Sequence, residues 1–149
     1  MTLWETITGI EAVAGSQPSV KTVVRNDVFR LNAMPNAKYG VFAWTQGQHI
    51  LGTDIHSFAF TFFYVDRLTA DKSNEVMVQS EGVEVIANVL RTLERMGVFP
   101  VADWTAQAFN QRFLDECAGV FANVRLEVPA GSICPEEWPA DGGCPCDCV

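Results

Sequence analysis

Phe58-Ala-Phe-Thr-Phe-Phe-Tyr-Val-Asp-Arg-Leu68 is the stretch whose reading decides the fold. Side chains alternate along an extended segment, so Phe58, Phe60, Phe62 and Tyr64 share one side while Ala59, Thr61, Phe63 and Val65 share the other. One face is a wall of rings and the other is still largely apolar. The expectation is a strand covered on both faces, either central in a sheet or used in assembly.

Upstream, Tyr39 to Thr45 is a second aromatic and β-branched run, separated from the first by polar and glycine-containing residues around Gly47 and Gly52, and the two are expected to pair as neighbours. Downstream, Thr69 to Asn74 reads as a loop, and Glu75 to Gln79 fits either a short strand or early helix. Ser80 then reads as a helix N-cap, with Glu81 and Glu84 in a first turn where the helix dipole favours acids. Val83, Ile86, Val89, Leu90, Leu93 and Met96 mark the expected buried face, Arg91 and Arg95 lie near the end, and Gly97 is placed to cap it.

Toward the N-terminus, Leu3, Trp4, Ile7, Ile10 and Val13 recur at helical spacing and predict a helix over residues 2–14, stopped by Gly15-Ser-Gln-Pro18. Val20 to Val24 suits a strand. Asp27 to Asn32 is undecided, and Met34-Pro-Asn-Ala37 reads as a turn. At the other end, Ala106 to Glu116 fits helix and strand equally, whereas Gly119 to Val128 alternates as a final strand ended by Pro129. The expected architecture is α+β: a mainly antiparallel, meander-like sheet flanked by an N-terminal helix and one long helix. Residues 1–130 form the expected body, and 131–149 an irregular, acidic tail rich in Pro, Gly and Cys.

A chain of 149 residues suits one core, and with 48% apolar residues it is too hydrophobic to stay unfolded. The net charge of −8 argues against general affinity for DNA or anionic membrane, which comes mainly from Lys and Arg. Glu136, Glu137, Asp141 and Asp147 follow Pro129 with no base, so half of that net charge travels with the tail. The first residues lack the basic start and long apolar stretch of a secretory signal, and no apolar run approaches the roughly 18 residues that span a bilayer. A soluble protein made inside the cell, without membrane insertion, is the expectation.

Chemistry has few footholds. His49, Asp54 and His56 place two imidazoles and a carboxylate, all metal-ligating types, in one short stretch, but without two histidines one helical turn apart. Glycines lack the phosphate-cradling spacing, and Ser57 and Ser80 lack the glycine-flanked elbow of a serine hydrolase. No catalytic residue is assigned, and a non-enzymatic protein is expected. Cys117 reads as a small buried thiol. Cys134, Cys144, Cys146 and Cys148 are the pointed motif: three thiols at alternating positions with a fourth upstream suit a soft metal such as zinc, a disulfide set, or a reduced tail with no ligand. A metal-binding or redox adaptor acting through these cysteines is the alternative function.

Taken in order, the short N-terminal helix, the Lys38-Tyr-Gly-Val-Phe-Ala-Trp44 strand, the Phe58 to Leu68 strand, the long helix ending at Met96 and the Gly119 to Val128 strand resemble the tail-terminator, or tail-completion, proteins of tailed bacteriophages. Phe63-Tyr-Val-Asp-Arg-Leu68, Ser73-Asn74, Gln79-Ser80-Glu-Gly-Val83, Arg112-Phe113 and Cys117-Ala-Gly119-Val120 also look like short structural proteins of phages and prophages of gut bacteria. The resemblance implies a virion subunit that forms a hexameric or dodecameric ring at the head–tail junction or the head-proximal end of the tail. Its implied partners are copies of itself and neighbouring neck, portal-adaptor or tail proteins. Genomic DNA would pass the lumen without specific binding, which net negative charge favours by repelling phosphate.

Overall fold

Thr2 and Glu5 start the first helix reciprocally. The Glu5 amide donates to Thr2 Oγ1 at 3.1 Å and the Thr2 amide donates to Glu5 Oε2 at 2.7 Å, a capping box that satisfies two amides the helix leaves unpaired. In the computed structural model, which describes residues 1–27, 38–101, 105–110 and 117–130, this helix is α1 (Leu3–Gly15). It buries Ile7, Ile10, Val13 and Ala14. Trp4, expected on the buried face, is mostly exposed, and the Arg25 guanidinium lies over its ring at 5.2 Å while also pairing with Glu11.

The chain continues through β1 (Thr22–Val24), β2 (Val41–Gln46), β3 (Ile50–Leu51) and β4 (Ile55–Arg67), then α2 (Glu75–Arg95), β5 (Phe99–Pro100), β6 (Thr105–Asn110) and β7 (Cys117–Pro129). The seven strands make one sheet in the order β1-β2-β4-β7-β5, with β3 also beside β4 and β6 also beside β7. This is the expected α+β class. The sheet is mixed rather than a pure meander, because β1 runs parallel to β2; all other pairs are antiparallel. Gly40 makes the turn into β2 at φ +44°, and a side chain there would strike the Ser19 carbonyl, so only glycine suits the position.

β4 is the central strand, as its two apolar faces implied. It pairs with β2 from Phe60 to Val65 and with β7 along its whole length, from Ile55 opposite Pro129 to Arg67 opposite Cys117. Size alternates across the central pair: Phe62 sits opposite Ala122 and Val65 opposite Gly119, so small residues on β7 make room beside bulky ones on β4. A side chain at Gly119 would run into the Tyr64 carbonyl. The ring-bearing face packs under both helices, joining Phe42, Trp44, Phe60, Phe62 and Tyr64 to Ile10, Ile86, Leu90 and Leu93 in one core. Phe42 and Phe62 lie 5.3 Å apart, and Trp44 meets Phe60 edge-on at 6.0 Å. Each fully buried ring of this kind contributes about 1.5–3 kcal/mol. The opposite face holds a smaller cluster of Val41, Ala43, Phe63, Val65, Phe109 and Cys117.

Helix α2 begins at Glu75 with Asn74 at the N-cap position, six residues before the expected N-cap Ser80. The loop ahead of it explains the difference. Asp71 accepts from the Thr69 hydroxyl and from the Ser73 amide and hydroxyl, and Asn74 accepts from the Thr69 amide while donating to the Arg67 carbonyl. The turn is therefore closed before Glu75, and Val78 already continues the buried stripe of Gly82, Val85, Ile86 and Val89. The stripe is rotated from the expected one, leaving Val83 and Met96 largely exposed. Gly97 ends the helix at φ +87° as expected, and the Val98 amide reaches back to the Leu93 carbonyl at 3.0 Å. β7 starts two residues ahead of the expected strand, β4 three ahead, and the first five residues of the ambiguous Ala106 to Glu116 segment belong to strand β6. The expected turn at Met34 and the whole tail from Gly131 lie outside the described residues.

Candidate functional site: an apolar sheet end

β4 is longer than β2, and its first residues are flanked instead by the two-residue strand β3, which sets Ile50 opposite Ser57 and Leu51 opposite His56. The intervening turn is tight enough that a side chain at Gly52 would collide with the Ile55 carbonyl. On the far side of the central pair, Ile55 faces Pro129 and β5 sets Phe99 opposite Glu127. Ile50, Leu51, Ile55 and Phe99 thus gather at one end of the sheet, each more than half exposed. A cavity of about 240 Å³ opens between Ile55, Phe99, Val128 and Pro129. The Met1 ammonium donates to the Pro129 carbonyl at 2.9 Å, and the Ala130 amide to the Asp54 carbonyl at 2.9 Å, so both Met1 and the last described residue are anchored here.

A second cavity at this end, about 610 Å³, is lined by Leu3, Glu5, His49, Leu51, His56 and Phe58 among others. It brings together two of the three residues that the sequence singled out. His49 pins the loop to the sheet: its Nδ1 accepts from the Ala59 amide at 3.1 Å, its Nε2 meets Gln46 Oε1 at 3.0 Å, and its ring stands edge-on to Phe58 at 5.3 Å. Burial, and then the Arg125 guanidinium, hold its pKa below the ordinary value, in keeping with an Nδ1 already used as an acceptor. His56 lies on β4 with its ring 5.7 Å from Phe58 and its Nδ1 buried without a partner among the described residues. Asp54 does not line the cavity; its backbone carbonyl accepts from the Ala130 amide instead.

Among the described residues, no three His, Cys, Asp or Glu side chains converge in a geometry that holds a metal ion, so His49, Asp54 and His56 do not form the centre their proximity in sequence suggested. Cys117 is fully buried, as expected. Cys134, Cys144, Cys146 and Cys148 lie outside the described residues. No described helix is long and apolar enough to cross a membrane.

A second apolar surface occupies the opposite end of the molecule. β4 runs away from the sheet end, and α2 starts where β4 finishes, with Val76 and Met77 exposed on its first turn and Val83 farther along. Sequence patterning missed the sheet end, since β3 and β5 are too short to show a period. The available signal was the cluster Ile50-Leu51 and Ile55 around Gly52, apolar residues in a stretch otherwise reading as loop. No protein-family model and no curated protein matches the chain.

Proposed function

We propose that the chain is a virion structural protein of a tailed phage, the subunit of a homo-oligomeric ring that serves as a tail terminator or head–tail connector and joins the tail to the neck. The observation that carries this reading is the pair of unlike apolar surfaces at opposite ends of the subunit: Ile50, Leu51, Ile55 and Phe99 at the sheet end, and Val76, Met77 and Val83 on α2. Exposed apolar side chains that cluster rather than scatter mark contact surfaces. When two such surfaces differ and lie at opposite ends, copies mate head to tail, and head-to-tail contacts close into rings when the rotation per subunit divides a full turn. The order of elements, which resembles tail-terminator proteins, supplies the virion setting. A net charge of −8 suits a part that DNA passes without sticking.

Light scattering of the purified chain, together with electron microscopy of phage particles, tests the proposal. A closed species is expected, a hexamer favouring the terminator position and a dodecamer the connector. A chain that stays monomeric at every accessible concentration and is missing from particles would end it.

A further inference from the structure

His49 occupies a break in the edge that runs beside β4. β7 takes one side of β4 along its whole length, so β2 and β3 share the other, and their registers differ by one residue: Gln46 stands opposite Phe60, but Ile50 stands opposite Ser57. Gly47, Gln48 and His49 therefore span only Ala59 and Phe58, a bulge of one extra residue. The Gly47 amide donates to the Ala59 carbonyl at 2.8 Å. The Ala59 amide points the same way, and where an unbroken ladder would offer it a backbone carbonyl it donates to His49 Nδ1 at 3.1 Å. The bulge decides which side chain faces α1. In the β2 register Ile50 would stand opposite His56 and Leu51 would turn to the far face of the sheet; shifted by one, Leu51 stands opposite His56 and lines the cavity of about 610 Å³ with Leu3 and Phe58.

We infer that protonation of His49 releases residues 47–51 from β4 and withdraws Leu51 from the sheet end, which makes this surface a pH-sensitive contact. An Nδ1 that carries a proton cannot accept, so two N–H groups would face each other and the Ala59 amide would lose its partner. Nε2 gains nothing in exchange, because it already meets Gln46 Oε1 at 3.0 Å. The rings of Phe58 and Phe60 close on the imidazole at 5.3 and 5.8 Å. On β7 the Arg125 guanidinium, which donates to the Gln48 carbonyl at 3.4 Å, opposes a second cation, and Glu127, opposite Ser57, is the next ionisable group on that strand. Across the cavity stand His56, the Met1 ammonium and the Glu5 carboxylate, whose Oε2 is already bonded to the Thr2 amide. The imidazolium is relieved by moving out to water, and the segment that carries it moves with it. Burial and Arg125 set this step below the ordinary histidine value of 6.5. The release follows from this local geometry; only its effect on assembly, the loss of Leu51 from a contact between copies, rests on the function proposed above.

Nuclear magnetic resonance of the isotopically labelled full chain, titrated from about pH 8 to about pH 5 across the histidine range, tests the release. The cross-strand Overhauser contacts between Leu51 and His56 should vanish with the midpoint at which the His49 ring titrates, while those between Trp44 and Phe62 persist. Protection of the Ala59 amide against hydrogen exchange, corrected for the intrinsic effect of pH, should fall at least about tenfold over the same step. His49→Asn keeps an acceptor for the Ala59 amide without taking up a proton, so it should hold the Leu51 to His56 contacts throughout. His56→Asn, which removes the other imidazole of the cavity, should leave the transition in place. Contacts that survive the titration of His49, or that vanish equally in the His49→Asn variant, overturn the inference. Loss of the Trp44 to Phe62 contacts at the same midpoint would be unfolding of the whole sheet and overturns it as well. Light scattering of the same samples separates the two readings. Release of Leu51 in a chain that never assembles leaves the inference standing and ends the assembly reading, whereas a closed oligomer that keeps Leu51 in place while His49 titrates does the opposite. An oligomer that survives the release overturns the control of assembly.

Discussion

Gly82 lies directly against Tyr64: a β-carbon placed on the glycine would sit 3.0 Å from Tyr64 Cδ1 and 3.2 Å from Val120 Cγ2. The missing side chain is what lets α2 lie down on the central strand pair. Both neighbours are themselves fully buried, so neither has free space to retreat into. The Tyr64 hydroxyl is enclosed, and burial, followed by the Asp66 and Glu81 carboxylates, pushes its pKa up.

Two substitutions at Gly82 should separate helix propensity from packing. Alanine in a helix interior is favoured over glycine by about 1 kcal/mol, while an added methyl in a filled core costs about 1–3 kcal/mol. Gly82→Ala is therefore expected to lose about 1 kcal/mol net, and Gly82→Val, which adds two further methyls against Tyr64 and gains little propensity, about 3 kcal/mol. Urea unfolding midpoints report both. An alanine variant more stable than wild type would mean that the contact relaxes at little cost.

Leu90, buried at the centre of the face that α2 turns to the sheet, tests the core directly. Leu90→Ala should cost about 2–5 kcal/mol through lost burial and the cavity left behind. Leu90→Asp places an unpaired charge in the same site and should leave no folded population detectable by circular dichroism. Full tolerance of the aspartate would remove α2 from the core.

The parts of this fold that were legible in the sequence are those where periodicity and burial agree. Phe58 to Val65 declares a two-faced central strand, and Ile86, Val89, Leu90 and Leu93 declare a helix, because long elements repeat their signal. Elements set by tertiary context were not legible. Ser80 looks like a cap, yet the bonds from Asn74 and Asp71 close the turn before Glu75 and let Val78 join the buried stripe. The parallel pairing of β1 depends on where the chain returns, which no local pattern records. The same limit hid the sheet end: Ile50, Leu51 and Phe99 belong to two-residue strands, and only pairing with β4 and β7 brings them to the same end of the sheet, on either side of the central pair. His49 and His56 were visible as residue types, but their relation to Glu5 and Leu3 follows from α1 starting beside them.

His49 should make stability depend on pH in the mildly acidic range. Its folded-state pKa lies below the ordinary value of 6.5, so the unfolded chain binds its proton more readily than the folded one. Stability rises with pH wherever the unfolded state holds more protons. The His49 contribution is thus complete above about pH 6.5 and is lost as pH falls through that value toward the lower folded pKa. His49→Asn, whose side-chain oxygen can still accept from the Ala59 amide, should show a smaller fall in urea midpoint between about pH 8 and about pH 5 than the wild type. Equal falls in the two proteins would show that His49 is not a source of the pH dependence.

Leu51 and Val76 offer the sharpest test of mating between opposite ends. Both are among the most exposed apolar side chains of the described residues, so Leu51→Asp and Val76→Asp should each change folding stability by no more than about 0.5 kcal/mol. Either change places a charge in a surface that would be desolvated between copies, and each should weaken self-association at least about tenfold. A head-to-tail contact makes a further demand that a symmetric one does not. In an equimolar mixture, the Leu51→Asp subunit still offers an intact α2 surface and the Val76→Asp subunit an intact sheet end, so the two should form mixed dimers through that one good contact but no closed ring. A two-fold contact made by a single surface on both copies would give no such complementation. Analytical ultracentrifugation of the separate and mixed variants distinguishes the two geometries, and mixed dimers that fail to appear would rule out the pairing of these two surfaces.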